Sequence, residues 1–404
     1  MRTLCVVLLL ASVLPARVRA YSVLTHEAII DSLWDSAIRP VLKARFPDAT
    51  PEQLHEAHAY AYGGCIIQDL GYYPFGSHFF SDLTHYVRSA DFVDALIADS
   101  QTPDEYAFAI GAAAHYGADV EGHAIAVNRA VPELYPGLRK KFGDVVTYAD
   151  DPAAHLKTEF GFDVLQVARG HYAPQAYHDF IGFKVSKDLL DRAFQDTYGL
   201  RLKDLFGTLD LALGTYRFSV RTIIPGMTKL AWQLKHDDIA KQEPGITRRH
   251  FLYNMNRASY RKEWDDKYRA PGFFARAFVW FIRILPKFGI FSGLGYRLPT
   301  PHTETLFEKS FDAAVREDQQ TFAGIEAGNP RIRNRDLDTG KPVSPGEYHL
   351  TDITYDKLLK RLAKKHFDGV KPDLRANILA FYAAMKTADP HGTAKQLAAL
   401  KALQ

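Results

Sequence analysis

Cysteine is almost absent from this 404-residue sequence, which contains only two. Cys5 lies in an N-terminal apolar run, so Cys65 has no second cysteine with which to pair. A disulfide framework is therefore excluded. The sequence also lacks a Gly-rich phosphate loop, a GxSxG elbow and an HExxH motif. These absences remove the usual signatures of P-loop nucleotide hydrolases, α/β hydrolases and HExxH metalloproteases.

Long apolar runs are also scarce at the start of the chain, where the only one is LCVVLLLASVL at residues 4–14. This run is too short to span a bilayer. It follows Arg2 and precedes PARVRA, which places small residues at Val18 and Ala20 just before Tyr21. That pattern is typical of a secretory signal peptide. We expect cleavage of residues 1–20 and a secreted or periplasmic mature protein beginning at Tyr21.

The charge is distributed unevenly, although the net charge is small. Residues 21–200 carry 12 more acidic than basic residues, and residues 201–404 carry 12 more basic than acidic residues. Clustered carboxylates in the first part suit cations, and a basic second part suits an anionic surface such as phospholipid. Packing of the two parts against each other is the simpler alternative.

Helix-start signals dominate the pattern. The sequences TPEQ (50–53) and TPDE (102–105) both place Thr at an N-cap and Pro at the first helical position, which predicts a helix after each. We expect the first of these helices to run to the Gly63-Gly64 pair, because glycine commonly ends helices.

Alternating strand patterns are rare, and helical periods continue through the rest of the chain. Asp151-Pro152 predicts a helix that ends before Gly170. Residues 325–351 form a polar loop rich in Gly and Pro. The fold class is predicted to be all-α. Further helical segments are predicted near residues 186–197, 225–236, 303–324, 353–366 and 373–387.

An apolar and basic segment covers residues 272–298, GFFARAFVWFIRILPKFGIFSGLGYRL. Arg276, Arg283 and Pro286 interrupt it, so we do not expect it to span a membrane. It is either a buried helix pair or a surface that dips into a lipid interface, with its basic residues at the headgroups.

The stretch AIGAAAHYGADVEGHAIAV carries His115, Asp119 and His123 at intervals of four. Residues four apart lie on one helical stripe. A single His–acid pair is commonly an ordinary helix contact, but the spacing recurs at His155 and Glu159 on the next predicted helix. Helices that each present a His and a carboxylate are how bundle interiors build two-metal sites.

Three further candidates lie upstream. His26 comes five residues after Tyr21, Asp69 lies in the apolar stretch IIQDLGYYP, and His85 lies in SDLTHYV. Each of them taken alone would be interpreted as structural.

Taken in order, these residues resemble the ligands of the zinc-dependent phospholipase C family and, more distantly, of all-α single-strand nucleases that carry three zinc ions. Both families show an N-terminal residue, His, Asp, His, then His-x-x-x-Asp, His, and finally His-x-x-x-Glu or His-x-x-x-Asp. The resemblance covers about residues 21–170. The matching residues here are Tyr21, His26, Asp69, His85, His115, Asp119, His123, His155 and Glu159.

The resemblance implies three zinc ions and a ligand set for each. The first ion would be held by Asp69, His85, His115 and Asp119. The second would be held by His123, His155 and Glu159. The third would be held by His26 and by the α-amino and carbonyl groups of Tyr21, with Asp119 bridging to the first. Imidazole and carboxylate suit Zn²⁺ on chemical grounds as well.

The sequence departs from the family pattern at three places. Tyr21 stands where the family usually has Trp, and Gln68 precedes Asp69 where a Pro is common. Asp119 and His123 are four residues apart, whereas known members often place six residues between them. His123 is therefore the ligand that the pattern supports least.

The resemblance implies hydrolysis of a phospholipid to diacylglycerol and a phosphorylated headgroup by metal-activated hydroxide. Asp69 is the candidate to orient or deprotonate the water, or it is a ligand only. We expect a catalytic domain at 21–215 and a helical C-terminal region at 216–404, with a phospholipid substrate and possible membrane contact through 272–298. No protein partner is evident.

Two alternatives stay open at this point. A secreted single-strand nuclease is favoured by the short gap between Tyr21 and His26, whereas Glu159 favours the lipases. A polyanion would, however, need a basic groove, and the first part of the chain is acidic. A non-catalytic helical module with structural zinc would normally show four protein ligands per ion, and the second set supplies three.

Overall fold

The computed structural model describes residues 23–169, 183–220, 224–253, 296–329, 332–385 and 392–402. Within these ranges the chain is helical and contains no β-strand, and an isolated antiparallel bridge joins Arg335 to Pro342. The predicted all-α class is confirmed. In the same ranges, none of the helices combines the length and the apolar character that crossing a bilayer requires. The predicted signal peptide and residues 272–295 lie outside the described residues.

Helices of short and medium length follow one another through the first part of the chain. They are α1 (Val23–Leu33), α2 (Arg39–Arg45), α3 (Pro51–Ile67), α4 (His78–Tyr86), α5 (Ser89–Asp99), α6 (Pro103–Glu121), α7 (Asn128–Leu134), α8 (Pro136–Phe142), α9 (Pro152–Arg169), α10 (Lys187–Tyr198) and α11 (Leu209–Phe218). Short segments of different pitch lie between them. These are the π-helical turns Trp34–Ile38 and Gly122–Val127 and the 3₁₀ turns Gln68–Tyr72 and Leu202–Asp204.

The second part of the chain adds six more helices within the described residues. They are α12 (Ile224–Gln242), α13 (Arg248–Tyr253), α14 (Pro301–Glu326), α15 (His349–Lys364), α16 (Pro372–Ala383) and α17 (Ala394–Lys401). Helix α14 packs along α6 and the π-helical turn that follows it, and α15 packs on α4. The main apolar core includes residues from α1 to α17. A second, smaller apolar cluster joins α12 and α13 to α1 and α9. The domain boundary at residue 215 stays a prediction.

The helix starts predicted from Thr-Pro are confirmed. The hydroxyl of Thr50 accepts the N–H of Gln53, and the Gln53 side chain accepts the N–H of Thr50 in return. Thr102 likewise accepts the N–H of Glu105 at the start of α6. The start of α9 is confirmed too, since the side chain of Asp151 accepts the N–H of Ala154. These side chains satisfy backbone donors that have no partner inside the helix.

The predicted end of α3 at Gly63-Gly64 is wrong, because the helix continues to Ile67. Glycine is required at Gly64 because α3 and α6 pack against each other there without room for a side chain. A Cβ on Gly64 would lie 1.9 Å from the carbonyl oxygen of Phe108 on α6, and a Cβ on Gly111 would lie 2.1 Å from that of Ala61 on α3. The two backbones therefore touch, and this contact places the C-terminal end of α3 beside the middle of α6.

Candidate metal centre

Side chains from separate helices and turns converge in the buried interior of the protein. Helix α6 provides His115 and Asp119, and the π-helical turn after it provides His123. Helix α9 provides His155 and Glu159 in its first two turns. The remaining side chains come from α1, the 3₁₀ turn after α3, and α4, and they are His26, Asp69 and His85. All eight side chains are buried.

The inner cluster consists of Asp69, His85, His115 and Asp119. Oδ2 of Asp119 lies 3.3 Å from Nε2 of His85 and 3.2 Å from Nε2 of His115. Oδ1 of Asp69 lies 3.4 Å from Nε2 of His85. The ligand atoms of His85, His115 and Asp119 are all within 4.8 Å of one another. This spacing is compatible with a single cation between them.

Backbone carbonyls fix the orientation of both inner imidazoles. Nδ1 of His85 lies 2.8 Å from the carbonyl oxygen of Ser81, and Nδ1 of His115 lies 2.9 Å from that of Cys65. A carbonyl oxygen only accepts, so each Nδ1 is the donor. The two Nε2 atoms then face each other at 3.4 Å. Metal-binding histidines are usually held in this way through the nitrogen that does not bind the metal.

His26 lies on the other side of Asp119. Its Nε2 is 3.4 Å from Oδ1 of Asp119, and its ring stacks on that of His115 with centroids 4.4 Å apart. Thr25, its neighbour, donates a 2.9 Å hydrogen bond to Asp163 and so ties α1 to α9. Asp119 thus turns one oxygen toward the inner cluster and the other toward His26. This is the arrangement that a bridging carboxylate needs.

The outer cluster consists of His123, His155 and Glu159. Oε1 of Glu159 lies 2.8 Å from Nδ1 of His155 and 3.7 Å from Nε2 of His123. Nε2 of His123 is also 3.8 Å from Oδ1 of Asp119. The three ligand atoms lie within 4.8 Å of one another. His123 therefore faces the site despite its short separation from Asp119 in sequence.

His123 lies where the helix changes from α-helical to π-helical pitch. The sequence predicted one helical stripe through residues 109–127, but the α-helix ends at Glu121 and a π-helical turn covers Gly122–Val127. A π-helical turn contains more residues than an α-turn, and such turns occur frequently at functional sites. The wider turn changes the direction in which His123 projects.

Burial and the neighbouring charges shift the pKa values of several side chains in the site. Burial lowers the pKa of His85, but contacts with Asp119 and Asp69 outweigh it and raise the pKa to about 10. Burial would raise the pKa of Asp119, but His115 and His123 hold it well below its usual range. Burial, and then the charge of Asp119, raises the pKa of Glu159 well above its usual range. Protons thus occupy this pocket when no metal is bound, and metal binding would release them.

The residues present fit a cationic group. Within the described residues, neither oxygen of Asp69 or Asp119, nor Oε1 of Glu159, accepts a hydrogen bond, although all are buried. Buried carboxylate oxygens without donors are costly unless a cation or proton satisfies them. Their partners are imidazoles, and imidazole with carboxylate is a ligand set that suits Zn²⁺. The site has the composition of a metal centre.

Eight of the nine residues singled out from the sequence are therefore brought together. Tyr21 lies outside the described residues. Helix α1 begins at Val23, two residues further along the chain, and carries His26 in its first turn.

Two polar residues beside the outer cluster were missed by the sequence analysis. Oδ1 of Asp338 lies 3.2 Å from Nδ1 of His123. Oδ1 of Asn128 lies 2.8 Å from Nε2 of His155. Asp338 belongs to the loop that was predicted only as irregular, and Asn128 directly follows the π-helical turn. The sequence DLDTG around Asp338 indicates a turn but not what the turn contacts.

Comparison with known families agrees with this geometry. Residues 25–207 match the model of a family described as zinc dependent phospholipase C. Over these residues the chain is similar to that family, and the matched segment is called the phospholipase C domain. The eight converging side chains all lie within the match, and the family resemblance recognised in the sequence is confirmed. No curated protein and no solved structure matches the chain.

The match indicates a hydrolase of the phospholipase C type. The match ends at residue 207, so most of the second part of the chain, including Asp338, lies beyond it. The phospholipase C domain is nevertheless packed against α14 and α15 from that second part.

Proposed function

We propose that the protein hydrolyses the headgroup-side phosphodiester of a glycerophospholipid, giving diacylglycerol and a phosphorylated headgroup. The observation that carries this proposal is the convergence of buried carboxylates and imidazoles in three groups, two of which share His115, within the phospholipase C domain. We further propose that these groups hold three zinc ions. When bound, zinc supplies Lewis acidity and activates water at neutral pH.

The ligand sets are those that the family resemblance implies, and the distances within the inner and outer clusters support the first two. The inner cluster would hold one ion through Asp69, His85, His115 and Asp119. The outer cluster would hold a second ion through His123, His155 and Glu159. His26 would hold the third, with Oδ1 of Asp119 and the main-chain groups of Tyr21. Because the outer cluster offers three protein ligands, it leaves a position for substrate, which favours a catalytic over a structural role.

Asp69 is the proposed group for orienting water or accepting its proton. Its Oδ1 faces His85 at 3.4 Å, and neither of its oxygens has a hydrogen-bond donor among the described residues. A carboxylate without donors keeps its lone pairs available for such a proton. Asp69→Asn should lower kcat sharply. If Asp69 is a ligand only, the loss of activity should follow the loss of zinc and should be reversed by excess zinc.

The charge distribution favours a lipid over a nucleic acid. Residues 21–200, which include all the proposed ligands, carry 12 more acidic than basic residues. A long polyanion is repelled by such a surface. A phospholipid presents one phosphodiester at a time, and zinc ions would compensate that charge locally.

Export is part of the proposal, because the chain start would be a ligand. Cleavage before Tyr21 would create the α-amino group two residues ahead of α1, whose residues Val23 to His26 are buried beside the site. Sequencing of the N-terminus after expression in a secreting host should give Tyr21 first. An extra residue ahead of Tyr21 should lower the zinc content, and unchanged zinc content would exclude the α-amino ligand.

The substrate is tested with the zinc-loaded mature protein on phosphatidylcholine vesicles, phosphatidylinositol vesicles and single-stranded DNA in parallel. We expect diacylglycerol and a water-soluble phosphate ester from at least one lipid. His155→Ala should remove this activity, and His302→Ala should not, because His302 is exposed on α14 and pairs with Glu133. Cleavage of DNA without any lipid product would refute the proposal and establish a nuclease.

A further inference from the structure

A loop from outside the phospholipase C domain reaches into the metal centre. This site loop, residues 332–348, connects α14 to α15 and contains Asp338, whose side chain is only 2% exposed. Leu337 also anchors the loop on α4, since its N–H donates a 3.2 Å hydrogen bond to the carbonyl oxygen of His85. The site loop therefore contacts both clusters.

Both oxygens of the Asp338 carboxylate are engaged. Oδ2 accepts the hydroxyl of Tyr86 at 2.9 Å and that of Tyr348 at 2.5 Å. Oδ1 faces Nδ1 of His123 at 3.2 Å. Two tyrosines thus fix the plane of the carboxylate, and its remaining oxygen lies against the imidazole nitrogen that points away from Glu159.

The backbone carbonyl of Asp338 orients the imidazole of His155 through the side chain of Asn128. The side-chain nitrogen Nδ2 of Asn128 donates a 2.6 Å hydrogen bond to the backbone carbonyl oxygen of Asp338. This contact fixes which end of the amide is oxygen, because a carbonyl oxygen only accepts. Oδ1 of Asn128 then accepts the Nε2–H of His155 at 2.8 Å. His155 is left with Nδ1 toward Glu159.

The backbone of the site loop is shaped for this close approach. The carboxylate of Asp336 accepts the N–H groups of Asp338 and Thr339, both at 3.0 Å. Gly340 follows with φ +70°, and a Cβ there would lie 2.9 Å from the carbonyl oxygen of Val120 and 3.2 Å from Cβ of Ala124. Only glycine allows the loop to lie directly on the helical segment that carries His123.

We propose that Asp338 is a positioning residue for the outer zinc site. Its carboxylate holds His123 with Nδ1 protonated and Nε2 directed to the metal, and its carbonyl holds His155, through Asn128, with Nδ1 directed to the metal. A carboxylate behind a ligating histidine orients the ring and raises its basicity. This inference rests on the proposed outer site. Under this inference, a segment outside the phospholipase C domain completes the outer site.

The test is a zinc-binding measurement on the full mature chain. In Asp338→Ala, we expect the affinity for one of the bound zinc ions to fall about 10- to 100-fold, in line with the loss of an outer partner, with the other ions unchanged. Asp338→Asn, which keeps an oxygen acceptor, should show a smaller loss. Far-UV circular dichroism reports whether each variant is folded, and the isosteric Asn variant serves if the Ala variant is not.

Two further readouts separate positioning from general stability. The visible spectrum of the Co²⁺-substituted protein should change in Asp338→Ala, because His123 is released from its fixed orientation. At saturating zinc, kcat for lipid should fall while KM stays unchanged. Lys341→Ala is the control in the same loop, since the Lys341 side chain is exposed and pairs with Glu347. It should leave the affinity and the Co²⁺ spectrum as in the wild type.

The outcomes distinguish the two levels of the proposal. If His123→Ala binds as much zinc as the wild type, the outer site itself is wrong and the role of Asp338 falls with it. If His123→Ala loses one ion but Asp338→Ala and Asp338→Asn bind zinc with wild-type affinity and spectrum, the positioning role alone is overturned. An equal loss in Lys341→Ala would also overturn it, because the effect would then belong to the loop as a whole.

Discussion

The contact between α3 and α6 provides a quantitative prediction. Gly111 lies in the middle of α6, and an added Cβ would be 2.1 Å from the carbonyl oxygen of Ala61. Carbon–oxygen contacts settle at about 3.3 Å, so Gly111→Ala must move the helices apart by roughly 1 Å. The obstacle is backbone, which does not rotate out of the way.

This displacement should reach the metal centre through Cys65, which follows Ala61 by one turn. The carbonyl oxygen of Cys65 accepts the Nδ1–H of His115 at 2.9 Å, and an extra 1 Å would break that bond. Overpacking costs about 1–3 kcal/mol, and a buried donor without its partner costs about 1–3 kcal/mol. The better helix propensity of Ala returns about 1 kcal/mol. We expect a net destabilisation of about 1–5 kcal/mol.

Urea denaturation and zinc competition measure the two consequences separately. Gly111→Ala should lower the free energy of unfolding and also weaken zinc binding. Gly214→Ala on α11 is the control, because its Cβ meets no heavy atom of the described residues within 4 Å. That change should stabilise the protein by about 0.5–1 kcal/mol. Wild-type stability and zinc affinity in Gly111→Ala would refute the argument that backbone contact sets the position of His115.

Three other perturbations follow from the site and its surroundings. His115→Ala should abolish zinc-dependent turnover while circular dichroism shows unchanged helical content, and retained turnover would remove His115 from the site. Chelation of zinc should lower the unfolding free energy, by about 2.7 kcal/mol for each site that free zinc at 100 times its Kd had filled, and added zinc should restore it. Asp94, on α5, has its pKa raised to about 6 by burial and by Asp91, so the folded state binds a proton that the unfolded state releases. Stability should therefore fall as the pH rises from about 4 to 6, and Asp94→Asn should flatten that fall in urea titrations at several pH values.

Local signals in the sequence were sufficient for the fold class and for the starts of three helices, α3, α6 and α9. Thr50, Thr102 and Asp151 act within three residues of themselves, so their roles can be recognised without knowledge of the fold. The same holds for His115 with Asp119 and for His155 with Glu159, whose spacing is set by a single helix. Several short helices, among them α1, α4 and α5, were not predicted because their ends carry weaker signals.

Other features depend on contacts that a linear pattern does not contain. Gly63-Gly64 predicted a helix end, but these residues mark a crossing of two helices. The π-helical turn at Gly122 has no residue signature of its own. Asp338 lies 210 residues from Asn128, and nothing in the sequence around Asp338 indicates that the two are in contact. The ligands could thus be ordered from the family pattern, whereas their supporting contacts needed the fold.

The two oxygens of Asp119 have a consequence for how the centre fills. One oxygen faces the inner cluster, and the other faces His26 and the outer cluster. If several ions bind as proposed, the first ion would fix the orientation of this carboxylate for the neighbouring sites. The entropy of ordering that side chain is then lost once instead of separately at each site. Loading is expected to be cooperative, and replacement of one ion by a different metal should alter the affinity of the adjacent position.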